Sequence, residues 1–183
     1  MKHWNIDSTW SLFLDRDGVI NTRKMGGYIQ TVDEFEFLPG ACSAIAELSH
    51  IFQYVFVVTN QQGIGKGLMT EGNLSDIHRY MTEQVELIGG KITSCYHAPD
   101  LHHITNLLRK PNTGMGLLAK THYPDVDFSK SVMVGDSDTD IEFGMKLGMK
   151  TVRISTDKTV AVPADITVQS LEELKNRIKA EIL

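Results

Sequence analysis

Apolar runs and amphipathic stretches alternate along the whole chain, and that alternation limits the fold more than any other feature. The apolar runs at 10–14 and 54–58 each stop abruptly at a polar, glycine-bearing segment, Asp15-Arg16-Asp17-Gly18 and Thr59-Asn60-Gln61-Gln62-Gly63. Short continuous runs of this kind read as strands covered on both faces, the condition of a parallel sheet. Between them Ala41, Ile45, Leu48 and Phe52 recur at three-to-four spacing and predict a helix within 40–52. Leu74, Ile77, Met81, Val85 and Ile88 predict a second helix after Thr70, ended by Gly89-Gly90. A strand is expected at 92–96, then a long polar, His-rich stretch from 97 to 111, longer than ordinary connections. Helix 114–122, strand 131–134, helix 138–147, strand 151–154, a short strand near Ile166 and helix 171–182 complete the pattern. Five or six strands joined by crossover helices predict an α/β fold, a doubly wound (Rossmann-like) parallel sheet with helices on both faces. The 183 residues suit one domain, expected to span 1–183, with no space for a large cap domain.

Three of the predicted strands run into segments rich in carboxylates, hydroxyls and glycines, and in open parallel sheets ligands bind beyond the carboxyl ends of the strands. If the two-residue period of the first strand persists, Asp15 and Asp17 face one pocket, and Gly18 lets the chain turn beside them. Two carboxylates held together repel unless they share a cation, and a hard divalent ion such as Mg2+ suits oxygen ligands. The segment Gly135-Asp136-Ser137-Asp138-Thr139-Asp140, after another strand, offers a third carboxylate. Asp-Gly is also an ordinary turn, and Asp and Ser are ordinary helix caps, so the spacing alone leaves both readings open. The glycine-rich segment from Thr59 to Gly67 is expected to leave backbone N–H groups free around an anion, as nests do. Arg109-Lys110 adds two neighbouring cations, one a planar fork and one a point charge suited to phosphate.

With 18 Lys and Arg against 23 Asp and Glu, the chain carries a formal charge of -5, which gives no overall basic field for nucleic acid or an anionic membrane. Two cysteines exclude a disulfide framework, and the apolar runs fall far short of a membrane span. The first residues lack a basic region followed by an apolar one, so a cytoplasmic protein is expected, with a small phosphorylated metabolite as partner and neither nucleic acid nor membrane.

In the order Asp-x-Asp, Thr-Asn, Lys, Gly-Asp, the chain resembles the haloacid dehalogenase superfamily of phosphohydrolases from about residue 12 to 152. The resemblance implies Asp15 as nucleophile, Asp17 as general acid and base, Thr59 and Lys110 as ligands of the transferred phosphoryl group, and Asp136 on Mg2+. Asp17 would protonate the leaving alkoxide and then deprotonate a water, and the first of these steps requires a raised pKa near neutral pH. Asp15-Arg16-Asp17-Gly18-Val19-Ile20-Asn21, Gly27-Tyr28, the segment Thr59 to Gly67, and Arg109-Lys110-Pro111 with Gly114-Met115 look like the subgroup of heptose-bisphosphate and histidinol-phosphate phosphatases, closer to the heptose enzymes. That subgroup implies Asn60, Arg109, Gly27 and Tyr28 as substrate contacts, and Mg2+ bound by Asp15, Asp136 and the main-chain carbonyl of Asp17.

Two departures stand out. The subgroup's zinc loop pairs Cys-x-His with Cys-x-Cys, whereas this chain keeps Cys95-Tyr96-His97 but carries Asn106-Leu107-Leu108 at the second pair. Zinc is therefore not expected, since Leu108 offers no ligand atom; a site of Cys95, His97 and His102 or His103 is the remaining arrangement. Ser137 stands where heptose enzymes often place a lysine that contacts substrate. Two rivals have other chemistry: a phospho-aspartate receiver domain, which does not need Asp17, and a phosphate-binding module without catalysis.

Overall fold

The computed structural model describes residues 4–101, 107–155 and 161–182. Six strands, β1 (Ser11–Leu14), β2 (Tyr54–Asn60), β3 (Ser94–Ala98), β4 (Ser131–Gly135), β5 (Lys150–Ile154) and β6 (Ile166–Val168), form one sheet in the order β3-β2-β1-β4-β5-β6. Every pairing is parallel. The helices are α1 (Ala41–Leu48), α2 (Glu71–Leu87), α3 (Gly114–His122), α4 (Asp138–Leu147) and α5 (Leu171–Ile182).

Side-chain alternation along the strands builds two cores. Leu12 and Leu14 of β1, Val55 and Val57 of β2 and Val132 and Val134 of β4 pack with Ile45 and Leu48 of α1, Ile77 and Met81 of α2, and Leu174 of α5. The alternate residues Phe13, Phe56, Val58 and Met133 pack on the other face with Met115, Ala119 and Phe143 of α3 and α4. Each such side chain contributes about 1.5–3 kcal/mol on burial, so both faces must be covered for the sheet to persist. The chain moves from β1 outward to β3 over one face and returns to β4 over the other. Right-handed crossovers impose that change of face when the direction of travel reverses. The reversal lies between β1 and β4, and the crevice above their carboxyl ends is the place where open α/β sheets bind ligands.

Helices 114–122, 138–147 and 171–182 coincide with the expectation, and α2 begins at Thr70, whose hydroxyl accepts from the Asn73 N–H while the Asn73 carboxamide oxygen accepts from the Thr70 N–H. Two strands differ. β2 continues to Asn60 because Thr59 and Asn60 pair with His97 and Ala98, so both lie on the sheet rather than in the loop. β3 accordingly begins two residues later than expected. Its approach is made by Thr93, whose N–H donates to the Val55 carbonyl at 2.7 Å and whose hydroxyl accepts from the Val55 N–H at 3.0 Å.

Candidate active site

A cavity of about 680 Å³ opens at the carboxyl ends of β1, β2 and β4. Its floor holds Asp15, just beyond β1, and Asp136, just beyond β4. Thr59, Asn60 and Gln62 come from the end of β2, Arg109 and Lys110 from the segment before α3, and Asp140 from the first turn of α4. Gly27 and Tyr28 line the cavity too, with Arg23 and Lys24. All the residues expected to carry the chemistry or to touch substrate, Asp15, Asp17, Thr59, Asn60, Lys110, Arg109, Gly27, Tyr28 and Asp136, thus border one space.

Lys110 is the hub of the floor. Its buried ammonium donates to Asp15 Oδ1 at 2.7 Å and to the Val58 carbonyl at 2.7 Å, and it lies 2.6 Å from Asp140 Oδ1. Burial alone would lower the pKa of Lys110, but the charges of Asp140 and Asp15 hold it above the usual lysine value. Asp15 is pushed up to about 7, first by burial and then by the charges of Asp140 and Asp17, against the pull of Lys110. Asp136 is also raised, by burial and by Asp140, although Arg23 Nη1 lies 3.0 Å from its Oδ2. Carboxylates this strained toward protonation favour a compensating cation. Asp15, Asp136 and Asp140 each offer an oxygen within 4.8 Å of the others, a donor set of hard oxygens that fits Mg2+. Gly18 permits the approach: it has φ +94°, and a Cβ there would stand 2.3 Å from Asp136 Oδ2.

Asp17 departs from the expected environment. Arg16 Nη2 lies 2.9 Å from both of its carboxylate oxygens, Asn21 Nδ2 donates to Oδ1 at 3.0 Å, and Gln61 Nε2 donates to Oδ2 at 2.8 Å. Burial opposes ionisation here, but the Arg16 charge and these donors outweigh it and hold the carboxyl below the usual range. The raised pKa expected for a resting general acid is therefore corrected: in the free site Asp17 is poised as the carboxylate. Its side chain also lies outside the three-carboxylate cluster, which leaves only its main chain for a cation.

The glycine-rich segment differs as well. The N–H groups of Gln61, Ile64, Gly65, Lys66, Gly67 and Leu68 all donate to carbonyls within the segment or to Ala98 and Pro99, so they form no anion nest. Gly65 serves close packing, since a Cβ there would stand 2.7 Å from the Pro99 carbonyl oxygen. Asn60 lines the cavity, yet its carboxamide is spent on the main chain of Lys110, accepting from the N–H at 2.9 Å and donating to the carbonyl at 3.1 Å. It holds the lysine in place. Sequence reasoning did not single out Gln61, Arg23 or Lys66, and it offered Asp140 only as one carboxylate of its segment. Asp140 carried one usable signal, its place three residues after Ser137 at the start of α4, where Ser137 N–H and Oγ both donate to its Oδ2.

Cys95 and His97 lie on β3, at the edge of a second cavity with His78 and Glu71. Burial pushes the Cys95 thiol up to about 12, and His97 Nε2 is 2.8 Å from Glu71 Oε2. Leu108 packs against the second core. Asn106, His102 and His103 lie outside the described residues. No helix among the described residues is long and apolar enough to cross a membrane.

The HAD-hydrolase-like family model matches residues 107–174. D-glycero-alpha-D-manno-heptose-1,7-bisphosphate 7-phosphatase of Mycobacterium tuberculosis is 42% identical over 135 residues, covering 73% of this chain and 70% of that one. The beta-anomer enzyme of Escherichia coli K12, D-glycero-beta-D-manno-heptose-1,7-bisphosphate 7-phosphatase, is 33% identical over 186 residues, covering 93% and 94%. Among solved structures, the D,D-heptose 1,7-bisphosphate phosphatase of B. bronchiseptica, complexed with magnesium and phosphate, superposes with a TM-score of 0.86 at 27% identity, covering 94% of this chain and 99% of that one. The chain belongs to the haloacid-dehalogenase-like hydrolases, in the family of heptose-bisphosphate phosphatases that these relatives represent.

Proposed function

We propose that this protein removes the 7-phosphate of a D-glycero-D-manno-heptose 1,7-bisphosphate through an aspartyl-phosphate on Asp15. A carboxylate oxygen of Asp15 attacks phosphorus, the ester oxygen leaves, and the proton it takes up comes from Asp17. A water then gives a proton to Asp17 and attacks the same phosphorus, and Asp15 is released. Thr59 and Lys110 hold the phosphoryl oxygens in line with the attacking carboxylate. Asp15, Asp136 and the main-chain carbonyl of Asp17 would hold Mg2+, which supplies charge neutralisation at the phosphoryl oxygens when bound. The low proton affinity of Asp17 in the free site keeps it in the carboxylate form that its second task needs. A phosphoryl dianion arriving beside it raises that affinity for the first.

The observation that carries the choice of substrate is the positive charge of the cavity beside Tyr28. Lys66 stands 5.3 Å over the Tyr28 ring, and Arg109 lies beside the same tyrosine with a buried Nη1 that has no hydrogen-bond partner. Among the described residues neither has a carboxylate partner. Two cations without carboxylate partners in the cavity that holds the nucleophile favour a second anionic group on the substrate and disfavour the ammonium of histidinol phosphate.

The test is phosphate release from the heptose 1,7-bisphosphate, its monophosphate and histidinol phosphate, with Mg2+ and with EDTA. A Mg2+-dependent preference of about tenfold or more in kcat/KM for the bisphosphate, worth about 1.4 kcal/mol, is expected. Lys66→Ala and Arg109→Ala should abolish that preference. A preference for histidinol phosphate would refute the reading.

A further inference from the structure

We infer that Gln61 is a positioning residue that fixes the acid carboxyl of Asp17 relative to the phosphoryl-binding hydroxyl of Thr59; the inference rests on the roles proposed for those two residues. Gln61 is 1% exposed, and a carboxamide so buried is costly unless its hydrogens are bonded. Its main-chain N–H donates to the Ala98 carbonyl at 2.8 Å, which ties it to the end of β3. Its Nε2 donates to Asp17 Oδ2 at 2.8 Å and to Thr59 Oγ1 at 2.9 Å. A carboxylate only accepts, so the group facing Asp17 must be the NH2 end, and both of its hydrogens are then used. Thr59 Oγ1 accepts one of them. Its own single hydrogen is thereby left for another acceptor, and the cavity it lines is where the phosphoryl oxygen would stand.

The other donors to Asp17 cannot do this work. Arg16 and Asn21 belong to the same turn after β1 as Asp17 itself, and neither donates to Thr59. Among these donors only Gln61 comes from the end of β2, and its carboxamide bridges the acid directly to the phosphoryl-site hydroxyl. Displacements of about 1 Å in such a geometry cost on the order of 100-fold in rate.

The experiment compares Gln61→Met with wild type in kcat/KM, which reports the steps up to departure of the alcohol, on two monoesters. A sugar phosphate leaves as an alkoxide and needs the proton of Asp17, whereas p-nitrophenyl phosphate leaves as a stable anion and does not. Gln61→Met should lose about 30-fold or more on the sugar phosphate and less than about fivefold on the aryl ester. Equal losses on both, or no loss, would overturn the inference, because a merely structural role depresses the two alike. Asp17→Asn on the same pair separates this from the reading beneath it. If Asp17→Asn fails to discriminate between leaving groups, the acid role itself falls; if it discriminates and Gln61→Met does not, the positioning role alone falls. Should Gln61→Met fail to give a cooperative melt, Gln61→Leu removes the two donors without adding a charge, and the same selective loss is required of it.

Discussion

Lys110→Met tests the electrostatics of the cavity floor most directly. The ammonium is 1% exposed and sits 2.7 Å from Asp15 and 2.6 Å from Asp140, so the substitution leaves two buried carboxylates facing each other across the space it filled. Breaking a buried ion pair in this way costs about 3–5 kcal/mol. In a chain of this length each kcal/mol lowers Tm by about 2–4 °C, so a fall of roughly 6–20 °C is expected in EDTA. The pH dependence has a definite sign. The Asp15 carboxyl is already raised to about 7 with Lys110 present, and it rises further without it. Between the unfolded value of about 4 and that raised value the folded protein binds the extra proton, so the variant loses stability as pH rises through the window. Thermal unfolding followed by circular dichroism at pH 5.5 and pH 8, with EDTA and then with Mg2+, reads all of this. Mg2+ should recover part of the lost Tm at pH 8, by binding the folded state alone. A Tm within 2 °C of wild type in EDTA at pH 8 would show that the three carboxylates do not depend on this lysine, and the proposed charge balance would be refuted.

Two further perturbations have clear outcomes. Gly18→Ala forces a side chain onto φ +94° and places its Cβ 2.3 Å from Asp136 Oδ2, so Asp136 must retreat. Backbone strain of about 1–3 kcal/mol and an increase of about tenfold or more in the Mg2+ needed for half-maximal activity are expected, and an unchanged Mg2+ titration would refute the approach of Asp136 to this turn. His78 is held down to about 3, first by burial and then by the charges of Arg16 and His97. The unfolded chain binds the proton near 6.5, so stability is lost as pH falls from about 6.5 toward 3, at up to about 1.4 kcal/mol per pH unit. Urea unfolding of wild type and His78→Leu at several pH values should show that slope in wild type and a shallower one in the variant; parallel curves would refute it.

Much of the site was legible because its chemistry sits where local pattern changes. Asp15 and Asp136 each follow the last apolar residue of a buried strand, and a parallel sheet places such positions together whatever the loops do. The parts that escaped the sequence depend on distances between segments far apart in the chain. The donors around Asp17 include Gln61, 44 residues away, and the carboxylate partners of Lys110 lie just beyond β1 and on α4. The glycines of the segment from Thr59 to Gly67 suggested free N–H groups, but Gln61 and Gly65 donate to Ala98 and Pro99, and Ile64, Lys66 and Gly67 to carbonyls of the segment itself. Glycine permits close approach without saying what approaches, and at Gly65 it is the neighbouring backbone and not an anion. The consequence reaches function. With the N–H groups of residues 64–68 bonded to carbonyls and the Lys110 ammonium shared between Asp15 and Asp140, the cavity cations without a carboxylate partner among the described residues are Lys66 and Arg109, beside Tyr28. On the proposed reading, binding a doubly charged substrate draws on a different set of residues from those that cleave it, so substitutions at Lys66 and Arg109 are expected to alter which phosphate ester is chosen, and those at Asp15, Asp17 and Lys110 whether any is hydrolysed.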